Sequence, residues 1–311
     1  MPPSDIAPQK LCSRVCQEIV IDSRPRRSAL YMPGSNPKAL AKARELPADV
    51  VILDIEDSVA PELKVEARER IVAALKQGGF GKREVLIRVN GVHTPWGEAD
   101  LEAAAAAGPD GVLLPKVDGP GTVLHAGRLL RDAPSKTRLW AMMETPMAML
   151  SAGVIAATAA DPASRLEALV LGLNDLAKET RARLAPGRAA FTPWLATCIA
   201  AARAHGVDVI DGVYNDIKDL DGFREECRQG LEFGFDGKTL IHPGQIEICN
   251  ETFAPTAAEI AHAKAVIDAF DRPENAGKGV MQIDGRMVEL LHAQMAKRTL
   301  AIADAIAALG A

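Results

Sequence analysis

The chain has 311 residues, 48% of them hydrophobic and 25% charged, which suits a water-soluble protein of one large or two medium domains. A net charge of -5 gives no electrostatic pull toward nucleic acid or an anionic membrane, and no apolar run approaches the roughly 20 residues needed to cross a bilayer. Five scattered cysteines (Cys12, Cys16, Cys198, Cys227, Cys249) without a CxxC pair read as reduced thiols, and the N-terminus has no signal-peptide core, so a cytoplasmic location is expected.

Taken in chain order, short β-rich apolar runs alternate with longer helical stretches. Strands are expected near 28–32, 50–54, 84–89, 111–115, 137–143, 167–172, 207–211 and 237–241. The first ends in "PGSNP", a sharp turn without the lysine and hydroxyl pair of a phosphate loop. Helix candidates lie between most strands, such as "PELKVEARERIVAALKQ" with Pro61 in its first turn and the alanine run at 103–107. Eight β-α units match a parallel TIM barrel in size and count, with a doubly wound open sheet as the competing arrangement. Beyond the barrel (residues 1–252, with an N-terminal extension), residues 253–311 read as a C-terminal hinge and helical lid. Its helices are expected over 256–270 and 286–309, around the Gly- and Pro-rich "DRPENAGKGVMQIDGR".

Polar residues collect where the strands end. They are Asp54, Glu56 and Asp57 after the second, Arg88 and Asn90 after the third, Lys116 after the fourth and Glu144 after the fifth. Asn174 and Asp175 follow the sixth, Asp211 the seventh and His242 the eighth. In parallel α/β folds these ends face one mouth, where the active site forms. Glu144 and Asp175 close neighbouring strands and offer hard oxygen ligands suited to Mg²⁺, whereas no His or Cys cluster has zinc spacing. Arg88 is a guanidinium fork for a carboxylate or enolate oxygen, or a partner for Asp54 and Glu56. His242, before a proline, suits a structural or pocket-wall role.

Six stretches in order, "RSALYMPGSNPKAL", "ADVVILDIEDSVAPELKVEAR", "VLIRVNG", "MMETPMAML", "LGLNDLA" and "GKTLIHPGQIEICNETFAP", resemble the citrate lyase β-subunit and malyl-CoA lyase superfamily. The resemblance implies a TIM barrel with a C-terminal lid, assembled as a homotrimer or hexamer. It implies cleavage or formation of a C–C bond between an acyl-CoA and a 2-oxo acid, with Mg²⁺ (or Mn²⁺) held by Glu144 and Asp175. Arg88 would contact substrate oxygens, Arg27 would reach into the same site, and Arg27 or Lys38 would meet CoA phosphates. Asp54, Glu56 and Asp57 would orient the arginines and metal waters.

Malyl-, β-methylmalyl- or citramalyl-CoA is the substrate class so implied. The alternatives are a citrate lyase β subunit working on a citryl acyl-carrier-protein thioester and a non-catalytic CoA-ester binder. One departure stands out. The acyl-CoA lyases carry D-G-(K/R)-(M/L)-(I/V)-D in the arm, its last aspartate serving a neighbour's site. Here "DGRMVE" keeps Asp284 but puts Glu289 last. The extra methylene changes the reach of a proton-transfer group, and misplacement on the ångström scale can cost about 10²-fold in rate.

Overall fold

All eight expected strands form, each within one residue of its sequence position, and they close into one parallel barrel. The computed structural model describes residues 24–310 except 276 and 284. The strands are β1 (Ser28–Pro33), β2 (Val50–Asp54), β3 (Glu84–Arg88), β4 (Gly111–Leu114), β5 (Arg138–Met143), β6 (Leu166–Leu171), β7 (Asp208–Asp211) and β8 (Gly237–Leu240). They pair in chain order, and β1 bonds to both β2 and β8, which excludes an open doubly wound sheet. Strands buried on both faces read as continuous apolar runs, which is why "VVILD" and "EVLIR" were legible.

The helices are α1 (Pro37–Lys42), α2 (Lys64–Gln77), α3 (Gly97–Ala107), α4 (Pro120–Leu129), α5 (Pro146–Ala157), α6 (Leu173–Thr180), α7 (Thr192–His205), α8 (Leu220–Phe233) and α9 (Ile246–Phe253). Leu53, Ile87, Val112, Leu169 and Val209 face outward from the strands into the layer beneath these helices. Ile52, Leu86, Leu113, Trp140 and Val170 fill the barrel interior.

The chain divides into two compact units, Pro25–Ala254 and one containing residues 255–310. In the second, α10 (Ala257–Asp271) starts at a capping box in which Thr256 and Glu259 satisfy each other's backbone N–H groups. Its partner α11 spans Leu290–Gly310, shorter than the expected 286–309 helix at its start. Residues 280–289 instead form an antiparallel hairpin, β9 (Val280–Ile283) with β10 (Arg286–Glu289). The expected hinge loop is therefore partly sheet. "VMQI" and "RMVE" alternate around Asp-Gly, the residue pair that two-residue hairpin turns favour, and Gly285 takes the left-handed φ of 78°. Val288 joins Ala263, Val266, Ala293 and Ala296 in a small core of this unit's own. Asp284, like residues 1–23 with Cys12 and Cys16, lies outside the described residues. Cys198, Cys227 and Cys249 are buried free thiols. No helix among the described residues is long and apolar enough to cross a membrane.

Candidate active site

Alternate side chains of a strand share a face, so each strand sends one row inward from the floor of the barrel to its mouth. On β3 that row is Glu84, Leu86, Arg88. On β2 it is Val50, Ile52, Asp54, and on β5 it is Trp140, Met142 and, just past the strand, Glu144. The apolar middle separates two charged ends.

The floor is built on Arg26. Its guanidinium grips Glu84 with two bonds of 2.8 Å, meets Asp208 at 2.8 Å and Glu167 at 2.5 Å, and lies 4.9 Å from the centre of the Trp140 ring. This end of a barrel reads as stability rather than chemistry.

At the mouth, Arg88 forks onto Asp54, with Nε to Oδ1 at 2.6 Å and Nη2 to Oδ2 at 2.7 Å. Burial alone would raise the Asp54 carboxyl, but Arg88 and the N–H groups of Ser58 and Glu56 outweigh it and hold it below the usual range. The Tyr31 ring lies 4.6 Å beneath the guanidinium carbon, a cation-π contact. Glu56 Oε2 comes within 2.9 Å of Nη1 but off the N–H direction, so the two are close without a hydrogen bond. Burial pushes its carboxyl up to about 8; Arg88 opposes this, and Asp57, Glu144 and Asp54 add to it.

Glu144 and Asp175 do converge. Glu144 is almost wholly buried, and Asp175 sits in the first turn of α6. The Lys116 ammonium bridges them, 2.6 Å from Asp175 Oδ2 and 3.4 Å from Glu144 Oε1, while the Lys116 N–H donates to Oε1 at 2.8 Å. Burial raises the Glu144 carboxyl, Lys116 pulls it back, and Asp175 adds to the rise. Gly172 makes room for this carboxylate: a Cβ there would overlap the Glu144 side chain and stand 2.5 Å from Oε2. Two carboxylates are a donor set for magnesium, which keeps several of its waters. Among the described residues no group of three or more His, Cys, Asp or Glu could hold a metal, so an ion at this pair would take the rest of its shell from water or substrate. Tyr31, Arg88, Glu144, Asp175, Thr239 and Ile241 help line one cavity of about 380 Å³. That is near the small end of ligand sites, room for a short acid rather than a nucleotide.

Other expected residues lie elsewhere. Arg27 does not reach the mouth. It precedes β1, at the floor, where its N–H, Nε and Nη2 all bind Asp49 at 2.8 to 2.9 Å. Lys38 is exposed on α1, its backbone N–H held by Asn36 Oδ1 at 3.0 Å. The "PGSNP" turn fastens β1 to β2, because Gly34 N–H donates to the Asp54 carbonyl at 2.9 Å and a Cβ at 34 would stand 2.8 Å from it. His242 caps the turn after β8 by accepting from Gly244 N–H at 3.1 Å. Glu56 sits beside Arg88 rather than lining the cavity. Asp211 is fully buried between Arg188 and Lys238, at 2.7 and 2.9 Å. Glu289 belongs to the second unit, where its N–H donates to His292 Nδ1 at 2.9 Å. Sequence reading gave no role to Lys116, Tyr31 or Gly172. Only the place of Lys116 after β4, next to the strand that leads into Glu144, hinted at one.

A family model described as HpcH/HpaI aldolase/citrate lyase matches residues 27–243. The chain is 48% identical over 289 residues to a (3S)-malyl-CoA thioesterase of Cereibacter sphaeroides, covering 93% of this chain and 98% of that one. It is 34% identical to the citrate lyase subunit beta of Escherichia coli K12 over 274 residues, 86% of this chain and 89% of that one. The solved structure of CitE from Mycobacterium tuberculosis, in complex with magnesium, acetoacetate and coenzyme A, matches with a TM-score of 0.71 and 30% identity, covering 91% of this chain and 99% of that one. With the barrel, the acid pair at its mouth and these matches, the chain belongs to the HpcH/HpaI aldolase/citrate lyase family.

Proposed function

We propose that this protein is a Mg²⁺-dependent enzyme acting on a malyl-CoA-type thioester, and that it cleaves the bond between the thioester's α-carbon and the hydroxyl-bearing carbon. The observation that carries the reading is the meeting of Glu144 and Asp175 on one cation, beside Arg88, in a cavity sized for a short acid. The magnesium complex of CitE supports the choice of metal. When bound, the ion would supply Lewis acidity toward the carboxylate and adjacent oxygen of the 2-oxo acid.

This chain's own residues do the rest. The Lys116 N–H and Gly172 orient Glu144, and Asp54 with Tyr31 fixes the guanidinium plane of Arg88. Arg88 then presents positive charge where the thioester oxygen becomes an enolate. On cleavage the hydroxyl proton goes to a base, the bond's electron pair passes to the enolate, and the α-carbon takes up a proton. Glu289, from a neighbouring copy in a homo-oligomer, is the proposed carrier of that proton, a role resting on the family resemblance.

A second reading is favoured by the 48% identical relative: hydrolysis of the same thioester to a free hydroxy acid and CoA. A citryl carrier-protein substrate has less support, because the citrate lyase relatives are more distant at 34%. Purified protein with Mg²⁺ is incubated with malyl-, β-methylmalyl- and citramalyl-CoA, and products are read by mass spectrometry. Acyl-CoA plus 2-oxo acid supports cleavage, whereas free CoA plus hydroxy acid supports hydrolysis. Either should vanish in Glu144→Gln or Asp175→Asn. No Mg²⁺-dependent turnover of any of the three would overturn the proposal and leave a CoA-ester binder.

A further inference from the structure

Lys116 is a non-glycine residue in the left-handed region, with φ of 53°. Such backbone is uncommon and clusters at functional sites. Its effect here is specific, because it turns both ends of one residue toward the same acid pair. The backbone N–H holds Glu144 Oε1 at 2.8 Å, and the side chain folds back so that Nζ lies 2.6 Å from Asp175 and 3.4 Å from Glu144. The ammonium thus stands between the two carboxylates assigned to the metal.

We infer that Lys116 is a tethered cation that competes with Mg²⁺ for the Glu144–Asp175 pair and so sets the affinity of the site. The inference rests on the magnesium reading above. Two positive charges cannot share so small a gap at low cost, so the ammonium must withdraw for a divalent ion to enter. The geometry permits this. The Lys116 side chain is about a quarter exposed, on a flexible four-carbon stem, so its head can move into water. Glu144 stays oriented meanwhile, since the backbone N–H is unaffected by where the ammonium goes. Without a cation between them the two carboxylates would repel each other, so Lys116 also keeps the pair assembled until the metal arrives.

The test is direct metal binding, independent of turnover. Calorimetric titration with MgCl₂ is run on wild type, Lys116→Met, Lys116→Gln and Glu144→Gln, with thermal melts in EDTA and in Mg²⁺. Both Lys116 variants should bind Mg²⁺ at least about tenfold more tightly. They should also melt below wild type in EDTA and gain more from Mg²⁺ than wild type does. Affinity within about twofold of wild type, or weaker, while Glu144→Gln abolishes binding, would overturn the competition and leave the metal site standing. If wild type shows no Glu144-dependent uptake, the magnesium reading fails and the competition with it.

Discussion

Gly172 and Glu144 occupy one space between them: the bare α-carbon of one residue is the wall against which the other's carboxylate rests. A Cβ at 172 would lie 2.5 Å from Glu144 Oε2. The φ of Gly172 is -110°, so the demand is for room and not for a special backbone. Gly172→Ala should therefore fold but turn the carboxylate aside. Mg²⁺ affinity should fall, and kcat/KM should drop by about 10²-fold, as for other misplaced reacting groups. Wild-type affinity in calorimetry would show that the carboxylate has another seat.

Glu56 gives the stability a pH signature. Its carboxyl is raised from the ordinary 4.5 to about 8, chiefly by burial. Between those values the folded protein holds a proton that the unfolded chain has lost. The associated stability is complete below the lower value and is lost as pH rises through the upper one. Glu56→Gln mimics the neutral form at every pH. In EDTA the Tm of wild type should fall from pH 5.5 to 8.5 by at least about 2 °C more than that of the variant. Parallel curves would mean that Glu56 is ionised throughout.

Arg88 and Asp54 act as a pair. Arg88→Lys keeps the charge but loses the fork, and kcat should fall by about 10²-fold, near the cost of one oxyanion donor. Asp54→Asn leaves the guanidinium buried with half its partner, so it should lower both kcat and Tm. A kcat within about threefold of wild type in Arg88→Lys would assign the residue to the fold, since under about 1 kcal/mol is then at stake.

Arg27, placed at the floor, should behave as a structural residue. Arg27→Met strips a buried Asp49 of its ion pair, which can cost roughly 3–5 kcal/mol. The Tm should drop while KM for the thioester stays within about twofold. A large KM change at unaltered stability would return Arg27 to the CoA site.

Glu289 closes β10 in the second unit. Glu289→Ala is expected to abolish turnover while leaving Mg²⁺ binding, which rests on the barrel, nearly intact. Glu289→Asp should retain or raise activity. Mixing Glu289→Ala with Glu144→Gln should restore some activity if the arm serves a neighbouring copy. No recovery would argue that each arm serves its own chain, and unchanged kinetics in Glu289→Ala would remove it from the mechanism.

The sequence showed the barrel clearly because most strands are sheltered on both faces and so read as largely apolar runs, with charges kept to their ends as in "VVILD" and "EVLIR". Glu144 and Asp175 were legible because acids at the ends of adjacent strands have few other places to go. Arg27 lies on Asp49 and not at the mouth where the resemblance put it, and the sequence held a usable clue. The residue stands before β1 rather than after it, and in a parallel barrel that alone selects the floor. The hairpin was hidden because "MVELLHAQMAKRTL" has strong helical character, and four-residue strands give little periodicity against it. The bridging of Glu144 and Asp175 by Lys116 and the packing of Gly172 on Glu144 join residues far apart in the chain and required coordinates.

The charged floor also governs traffic. Arg26 locks the starts of β3 and β7 and the second residue of β6 together over the Trp140 ring, and apolar side chains fill the tube above it. The barrel is a vessel with a single opening. Whatever binds at Glu144 must enter and leave by the same route, so a product held there would block the next molecule until it departs. If the proposed reaction holds, product inhibition should be competitive with the thioester.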